Sequence, residues 1–336
     1  MLRLKTIGLL GAAAMMALSA PANAEWKPDK PINIIVPWSA GGSTDQVTRV
    51  VAPLLSEALG TPVVVVNQPG ASGSIGTKAA LDAPRDGYTW TANAIANNAT
   101  YSVTGLVENT SINDYRVYLH VANVPVVSVN ADSPYQNFGE LLEAMREAET
   151  VKVGTAGVNS SGGMALAAIG EAAGGEFGAR MVTYDGGNPA VLAAASGEVT
   201  ATTQLAVEQT EMIKAGKLRA LAVLSDKPLI VEGIDPVPPI TDFLPDMHVA
   251  PDYFGVFIPV GAPQEVYDTV DKIWQENVMN AEALSSYATE RGAVFDPSYG
   301  DAAMKRAMPV VIAEACARVT RGEAIVDPSE IGIDCP

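Results

Sequence analysis

The stretch "NIIVPWSAGGSTDQVTRVVAPLLSEAL", Asn33 to Leu59, decides the fold class. It runs from an apolar segment, through a loop of small residues, into a segment of helical period. "INIIVPW" is a short apolar run rich in β-branched residues, the pattern of a strand buried in a parallel sheet. In "TDQVTRVVAPLLSEAL" the residues Val47, Val50, Val51, Leu54, Leu55 and Leu59 recur at helical spacing and fall on one face. Between the two, "SAGGSTD" is rich in Gly and Ser. Its glycines let backbone N–H groups converge, and Ser43 or Thr44 stands where it can cap the helix. Free amides and the positive end of a helix dipole make an anion site without Arg or Lys. The loop is therefore suited to a carboxylate or a phosphate.

The same alternation continues outward. "PVVVVNQ" reads as the next strand, "SIGTKAALDA" as a helix and "GYTWTANA" as a third strand. A second set follows: "VPVVSVN", "VKVGTAG", "ARMVTYDGG" and "LRALAVLS" as strands, with "NFGELLEAMREAE", "GGMALAAIGEAAG" and "NPAVLAAASGE" as helices. Strands and helices alternating at this spacing predict right-handed βαβ units and an α/β fold with parallel sheets. "YFGVFIPVGAP" then reads as a strand that crosses back, and two helical stretches end the chain. Two lobes, the second inserted into the first, explain why helices resume after Phe254.

Composition excludes several classes. The chain has 336 residues, 48% of them hydrophobic and 18% charged, enough for a sizeable core. A net charge of −17 argues against a nucleic-acid surface, which needs clustered Lys and Arg. The first 24 residues read as a cleaved export signal: basic "MLRLK", apolar "TIGLLGAAAMMALSA" and a small-x-small site ending at Ala24. Loss of Arg3 and Lys5 takes the charge from −17 to −19. The apolar stretch is too short to span a bilayer, and the segment has no cysteine for a lipid anchor. A soluble periplasmic protein starting near Glu25 is expected. Cys316 and Cys335 are the two cysteines, and in an oxidising compartment such a pair bridges, the alternative being two buried thiols.

Two further loops resemble the first. "GTAGVNSSGG", Gly154 to Gly163, offers Thr155, Asn159, Ser160 and Ser161 ahead of a helix; "TYDGGNPA", Thr183 to Ala190, offers Tyr184 and the amides near Gly186. A glycine-rich strand-to-helix loop is commonly only a tight turn, but three in register across two lobes point to a ligand cleft. Catalytic signals are poor: there is no nucleophile elbow, no phosphate-binding P-loop and no metal-ligand spacing. His120 and His248 lie far from the loops and read as surface or boundary residues. No cofactor or metal is implied.

These residues also carry a family resemblance. The segment from Lys30 to Trp90, with "VGTAGVNSSGGMALAAIG", "VTYDGGNPAVLAAASGEV", "IKAGKLRALAVLSDK" and "YFGVFIPVGAP", closely resembles the substrate-binding proteins of tripartite tricarboxylate transporters, the TctC or Bug family. The likeness spans about Lys27 to Val319. It implies a periplasmic-binding-protein fold of type II: two lobes, each a mostly parallel sheet flanked by helices, with the ligand cleft between them. Residues 25–123 plus 250–336 would form one lobe and 124–249 the other, hinged near Ala122–Val126 and Ala250–Gly255. The implied function is capture of a small carboxylate, a di- or tricarboxylate such as citrate, and its delivery to the permease subunits. No chemistry, nucleic acid or membrane insertion is implied, and a monomer is the expected state.

Carried over by position, the contacts are Ser39, Gly41, Gly42, Ser43, Thr44 and Asp45, then the loop from Ala94 to Asn97. The second lobe adds Thr155, Ala156, Asn159, Ser160, Ser161, Tyr184, Asp185, Gly186 and Gln204. Asp45 is better suited to organise its loop than to touch an anion. The chain departs from the family at two places. "YDGG" has Asp185 where many members carry Lys, and "VTATTQ", Val199 to Gln204, has neutral Thr200, Thr203 and Gln204 where many carry acids. Replacing acids by donors suits a ligand with more than one carboxylate. Three alternatives stand beside this reading: an aromatic or pyridine carboxylate held between Trp38 and Tyr184, a ligand-capturing sensor subunit, and an exported α/β hydrolase.

Overall fold

The structure is a computed structural model that describes residues 25–147, 150–174 and 177–335. The expected export signal lies outside them. β1 (Ile32–Val36) sits between β2 (Val63–Asn67) and β3 (Thr89–Ala94) and pairs in parallel with both, through the crossover helices α1 (Ser43–Leu59) and α2 (Ser74–Asp82). Parallel neighbours require such crossovers. As a middle strand β1 buries Ile32, Ile34, Ile35 and Val36, whereas β2, at the sheet edge, leaves Val64 and Val66 partly in solvent.

α3 (Ile95–Thr100) leads to β4 (Tyr115–Asn123), and the chain then crosses at Val124 and Pro125 to β5 (Val126–Asn130) of a second sheet. There follow α4 (Phe138–Met145), β6 (Lys152–Thr155), α5 (Ser161–Ala173), β7 (Arg180–Thr183), α6 (Gly187–Ser196), β8 (Ala201–Thr202), α7 (Ala206–Lys214) and β9 (Leu218–Val223). The return crossing ends in β10 (Asp252–Pro259), which inserts antiparallel between β3 and β4. α8 (Gln264–Ile273), α9 (Glu282–Arg291), β11 (Val294–Tyr299) and α10 (Gly300–Thr320) complete the first half. Among the described residues the sheet orders are β11-β4-β10-β3-β1-β2 and β7-β6-β8-β5-β9. β10 and β11 oppose the other strands of the first sheet, and β5 opposes those of the second. Each sheet is thus mostly parallel in direction but mixed in its pairing.

Each sheet is covered on both faces. In the first, one face packs Val47, Val51, Leu55, Val270 and Leu284 of α1, α8 and α9 against the strands, and the other packs Ile95, Ala303, Ala307 and Val311 of α3 and α10. Phe138, Leu141, Leu166 and Ile169 of α4 and α5 cover one face of the second. Trp274 is fully buried, and its indole donates to the Leu119 carbonyl at 2.9 Å. A disulfide joins Cys316 in α10 to Cys335, with Cα atoms 5.5 Å apart, and Ile333 beside it is buried. No helix among the described residues is long and apolar enough to cross a membrane.

One expectation is corrected here. His120 is not at a surface or boundary but lies wholly inside β4, stacked near Trp274. Burial pushes its pKa down to about 3, so it is neutral, with Nδ1 accepting the Val121 amide at 3.0 Å. His248 is exposed.

Candidate functional site

The glycine-rich loops meet because each follows the carboxyl end of a strand, and the two sheets face each other across those ends. The amino termini of α1, α5, α6 and α7 open onto one small cavity between the sheets. Gly42, Ser43 and Thr44 line it from α1, Asn97 from α3, Ala156, Ser160 and Ser161 from the β6–α5 loop, and Gln204 from the β8–α7 loop. Trp38, Gly187, Leu205, Glu208 and Phe254 complete the lining, and none of the lining residues is Lys or Arg. Helix amino termini carry partial positive charge, a field that suits an anion without a salt bridge.

Hydrogen bonds join the halves around it. The Ser39 amide donates to the Asp185 carbonyl at 3.1 Å, and the Asn97 side-chain amide donates to the Asn159 carbonyl. Asn159 Nδ2 donates to Thr104 Oγ1 at 2.7 Å, and Ser161 Oγ to Asp252 Oδ2 at 2.6 Å. The close approach explains one glycine: a Cβ on Gly186 would collide with Ser39 Oγ.

Several expected contacts have other roles. Gly42, not Ser43 or Thr44, is the N-cap of α1, and it makes no side-chain cap. Asp45 is buried beneath the loop, accepting from the Gly41 amide at 2.9 Å, from Arg49 at 2.9 Å and from Asn67 Nδ2 at 2.9 Å. Burial works to raise its pKa, but the bonds from Arg49, Gly41 and Asn67 outweigh it and hold the carboxyl below its usual range. Asp45 organises the loop and does not line the cavity. Ser39, Gly41 and Gly186 form the contact between the halves. Ala94 is packed in the core, and Thr155 Oγ1 accepts the Gly157 amide at 3.2 Å within its own loop.

Tyr184 turns away: its hydroxyl donates to Glu198 at 2.8 Å, and its ring packs beside Val182 and Val191. Tyr184 is absent from the lining, so the pair of Trp38 and Tyr184 does not flank the cavity; the second ring of the lining is Phe254. The Asp185 residue is exposed and contributes its carbonyl. Of the neutral residues in "VTATTQ", only Gln204 reaches the cavity. Thr203 Oγ1 donates to the Gly162 carbonyl at 2.7 Å, and Thr200 Oγ1 accepts the Lys152 amide at 3.2 Å.

Glu208 is the lining residue that the sequence reading missed. Its Oε1 accepts the Ser43 amide at 2.8 Å across the two halves, and its Oε2 accepts the Leu205 amide at 3.2 Å. In the orientation that satisfies both its ends, the Gln204 side chain donates to Glu208 Oε2 at 3.0 Å and accepts from the Ala156 amide at 2.7 Å. Burial raises the Glu208 pKa, opposed by the Ser43 and Leu205 amides. The available signal was positional: Glu208 is the third residue of a helix that follows a strand-end loop, the place of a capping-box acid. An acid thus enters the lining from the helix that follows the neutral residues of "VTATTQ".

Comparison with known proteins adds to this geometry. Residues 47–321 match the family model described as "Tripartite tricarboxylate transporter family receptor". The protein BugT of Bordetella pertussis is 31% identical, with 85% of this chain and 87% of BugT covered. A protein encoded in the tcbD-tcbE intergenic region of Pseudomonas sp. is 32% identical over 73% of this chain and 72% of its own length. Among solved structures, the periplasmic binding protein BugD superposes with a TM-score of 0.79 at 24% identity, over 88% of this chain and 99% of BugD. An R. palustris protein with adipate gives 0.78 at 24% identity, covering 88% and 99%, and MatC from Rhodopseudomonas palustris with bound malate gives 0.73 at 20%, covering 88% and 97%. The chain belongs to the tripartite tricarboxylate transporter family of receptors, which bind solutes and are not hydrolases.

Proposed function

We propose that this protein is a periplasmic receptor that traps a small carboxylate, of the di- or tricarboxylate class that includes citrate, and delivers it to the permease subunits of a tripartite tricarboxylate transporter. The observation that carries this reading is the convergence of four helix amino termini, from both sheets, on a cavity lined without Lys or Arg. The adipate and malate bound by two proteins of the same fold support the ligand class. In this reading residues 25–123 with 250–336 form one lobe and 124–249 the other. Gly42, Ser43, Thr44, Asn97, Ala156, Ser160, Ser161 and Gln204 contact the ligand. Ala122–Val126 and Ala250–Gly255 bend as the lobes part.

The test is a thermal-shift screen of purified protein, unfolded and refolded to strip carried-over solute. The panel holds citrate, tricarballylate, malate, succinate, adipate, aspartate and aromatic acids. A ligand that binds only the folded state adds about 2.7 kcal/mol at a hundredfold excess over its dissociation constant. A selective rise in melting temperature with one of the aliphatic acids is expected; no rise with any carboxylate would sink the proposal.

A further inference from the structure

We propose that Glu208 is a specificity-determining residue: it fills one anion seat of the cleft with a carboxylate from the chain itself, so that the ligand must turn a hydrogen-bond donor, not a second carboxylate, toward that end. This rests on the receptor reading above and deepens it by naming a ligand class, small carboxylates bearing a hydroxyl or ammonium group.

The seat is defined by what surrounds the Glu208 carboxylate. The first amide of α1 donates to one oxygen, and the Leu205 amide and the Gln204 side chain donate to the other. Gly42 and Gly187, at the starts of α1 and α6, press against it so closely that a Cβ on Gly187 would overlap the carboxylate. Three helix amino termini therefore converge on an anion that the protein supplies. A carboxylate has about four acceptor positions. Three are used by these donors, and the Ser43 hydroxyl also approaches the carboxylate, at the wall of the cavity that Glu208 lines.

A ligand carboxylate placed against it would meet a like charge in a buried site with no Lys or Arg lining the cavity to offset it. A hydroxyl or ammonium placed there finds an acceptor instead. The ligand's own carboxylate is left the other end of the cavity, where Asn97 of α3 stands with Ser160 and Ser161 at the start of α5.

The experiment compares matched ligands by calorimetry: malate with succinate, citrate with tricarballylate, and aspartate with succinate. Each pair is measured on the wild type, on Glu208→Gln and on Glu208→Ala, with thermal unfolding to establish that each variant is folded. The wild type is expected to favour the donor-bearing member of at least one pair by tenfold or more. In Glu208→Gln the ratio should shrink to within about threefold, chiefly because succinate or tricarballylate binds better. Glu208→Ala, which empties the seat, should move the ratio the same way.

Equal binding of both members by the wild type would overturn the assignment, as would an unchanged ratio in a folded variant. Binding of no carboxylate by any of the three proteins would instead remove the receptor reading, and this inference with it.

Discussion

At the scale of single residues, two aspartates near the seam between the sheets show how opposite environments give opposite pH behaviour. Asp45 is bonded to Arg49, Gly41 and Asn67, and its depressed pKa means that its contribution is present above about pH 4 and lost as pH falls through the folded value. Asp252 is fully buried and accepts from the Ala96 amide at 3.2 Å and from Ser161 Oγ. Burial raises its pKa to about 7, against those two donors and with a further push from Glu314. The folded state then holds a proton that the unfolded chain, titrating near the ordinary 3.8, releases. Stability contributed by Asp252 is accordingly full below about pH 4 and declines as pH rises toward 7, with a slope of at most ~1.4 kcal/mol per pH unit. Denaturant titrations at half-unit steps from pH 4.5 to 7.5 should show this decline in the wild type and a flatter line in Asp252→Asn. Identical slopes in the two proteins would assign the titration elsewhere.

Among the elements, the end of the chain offers the cleanest test. The 19-residue separation of Cys316 and Cys335 closes a short loop that holds the turn Pro328–Ile331 and the buried Ile333 against α10. In the chain-entropy account a loop of this size contributes roughly 3 kcal/mol. Cys316→Ser with Cys335→Ser should therefore lose about that much by urea unfolding while ligand affinity stays within twofold, because α10 and the tail contribute no residue to the cavity lining. An unchanged midpoint would mean that the tail adds nothing to the folded body. The same element scale explains what was legible from sequence. β1, α1 and β6 have long periodic or apolar patterns, so both parallel units and the three glycine-rich loops were readable. β4 was not: it runs into β5 with only Val124 and Pro125 between them, and only the family resemblance, not the local pattern, marked the crossing near Ala122–Val126. β8 spans two residues, too few for any periodicity, and β11, "VFDPSY", is an edge strand whose Pro and Asp mimic a turn. At the site, hydroxyl and glycine positions could be placed because they lie next to strand ends. The outward turn of Tyr184 and the inward reach of Glu208 are set by packing between elements far apart in the chain, which local pattern does not encode.

For the whole molecule, the proposed receptor role turns on whether ligand capture closes the cleft. The chain crosses between the sheets at residues 124–125 and again on the return to Asp252, while the bonds at Ser39, Ser43, Asn159 and Ser161 lie across the gap between the sheets. Two crossings and a seam of bonds are the elements of a hinged closure, and a ligand touching both sides favours the closed arrangement by its differential affinity for it. Trp38 is well placed to report this. It is about 6% exposed, lines the cavity, and donates its indole N–H to Asn93 Oδ1 at 2.9 Å. Of the other three tryptophans, Trp90 and Trp274 are fully buried in the first sheet's core and Trp26 packs against Tyr88, all away from the cavity lining. In the proposed hinged closure an open cleft would wet Trp38 and spare the others, so adding a bound carboxylate should shift tryptophan emission to the blue as the cleft closes. Trp38→Phe should abolish most of that shift while calorimetry still detects binding. Small-angle scattering on the same samples should record a smaller radius of gyration with ligand than without. Saturating ligand with no change in either emission or radius would mean that capture occurs without closure.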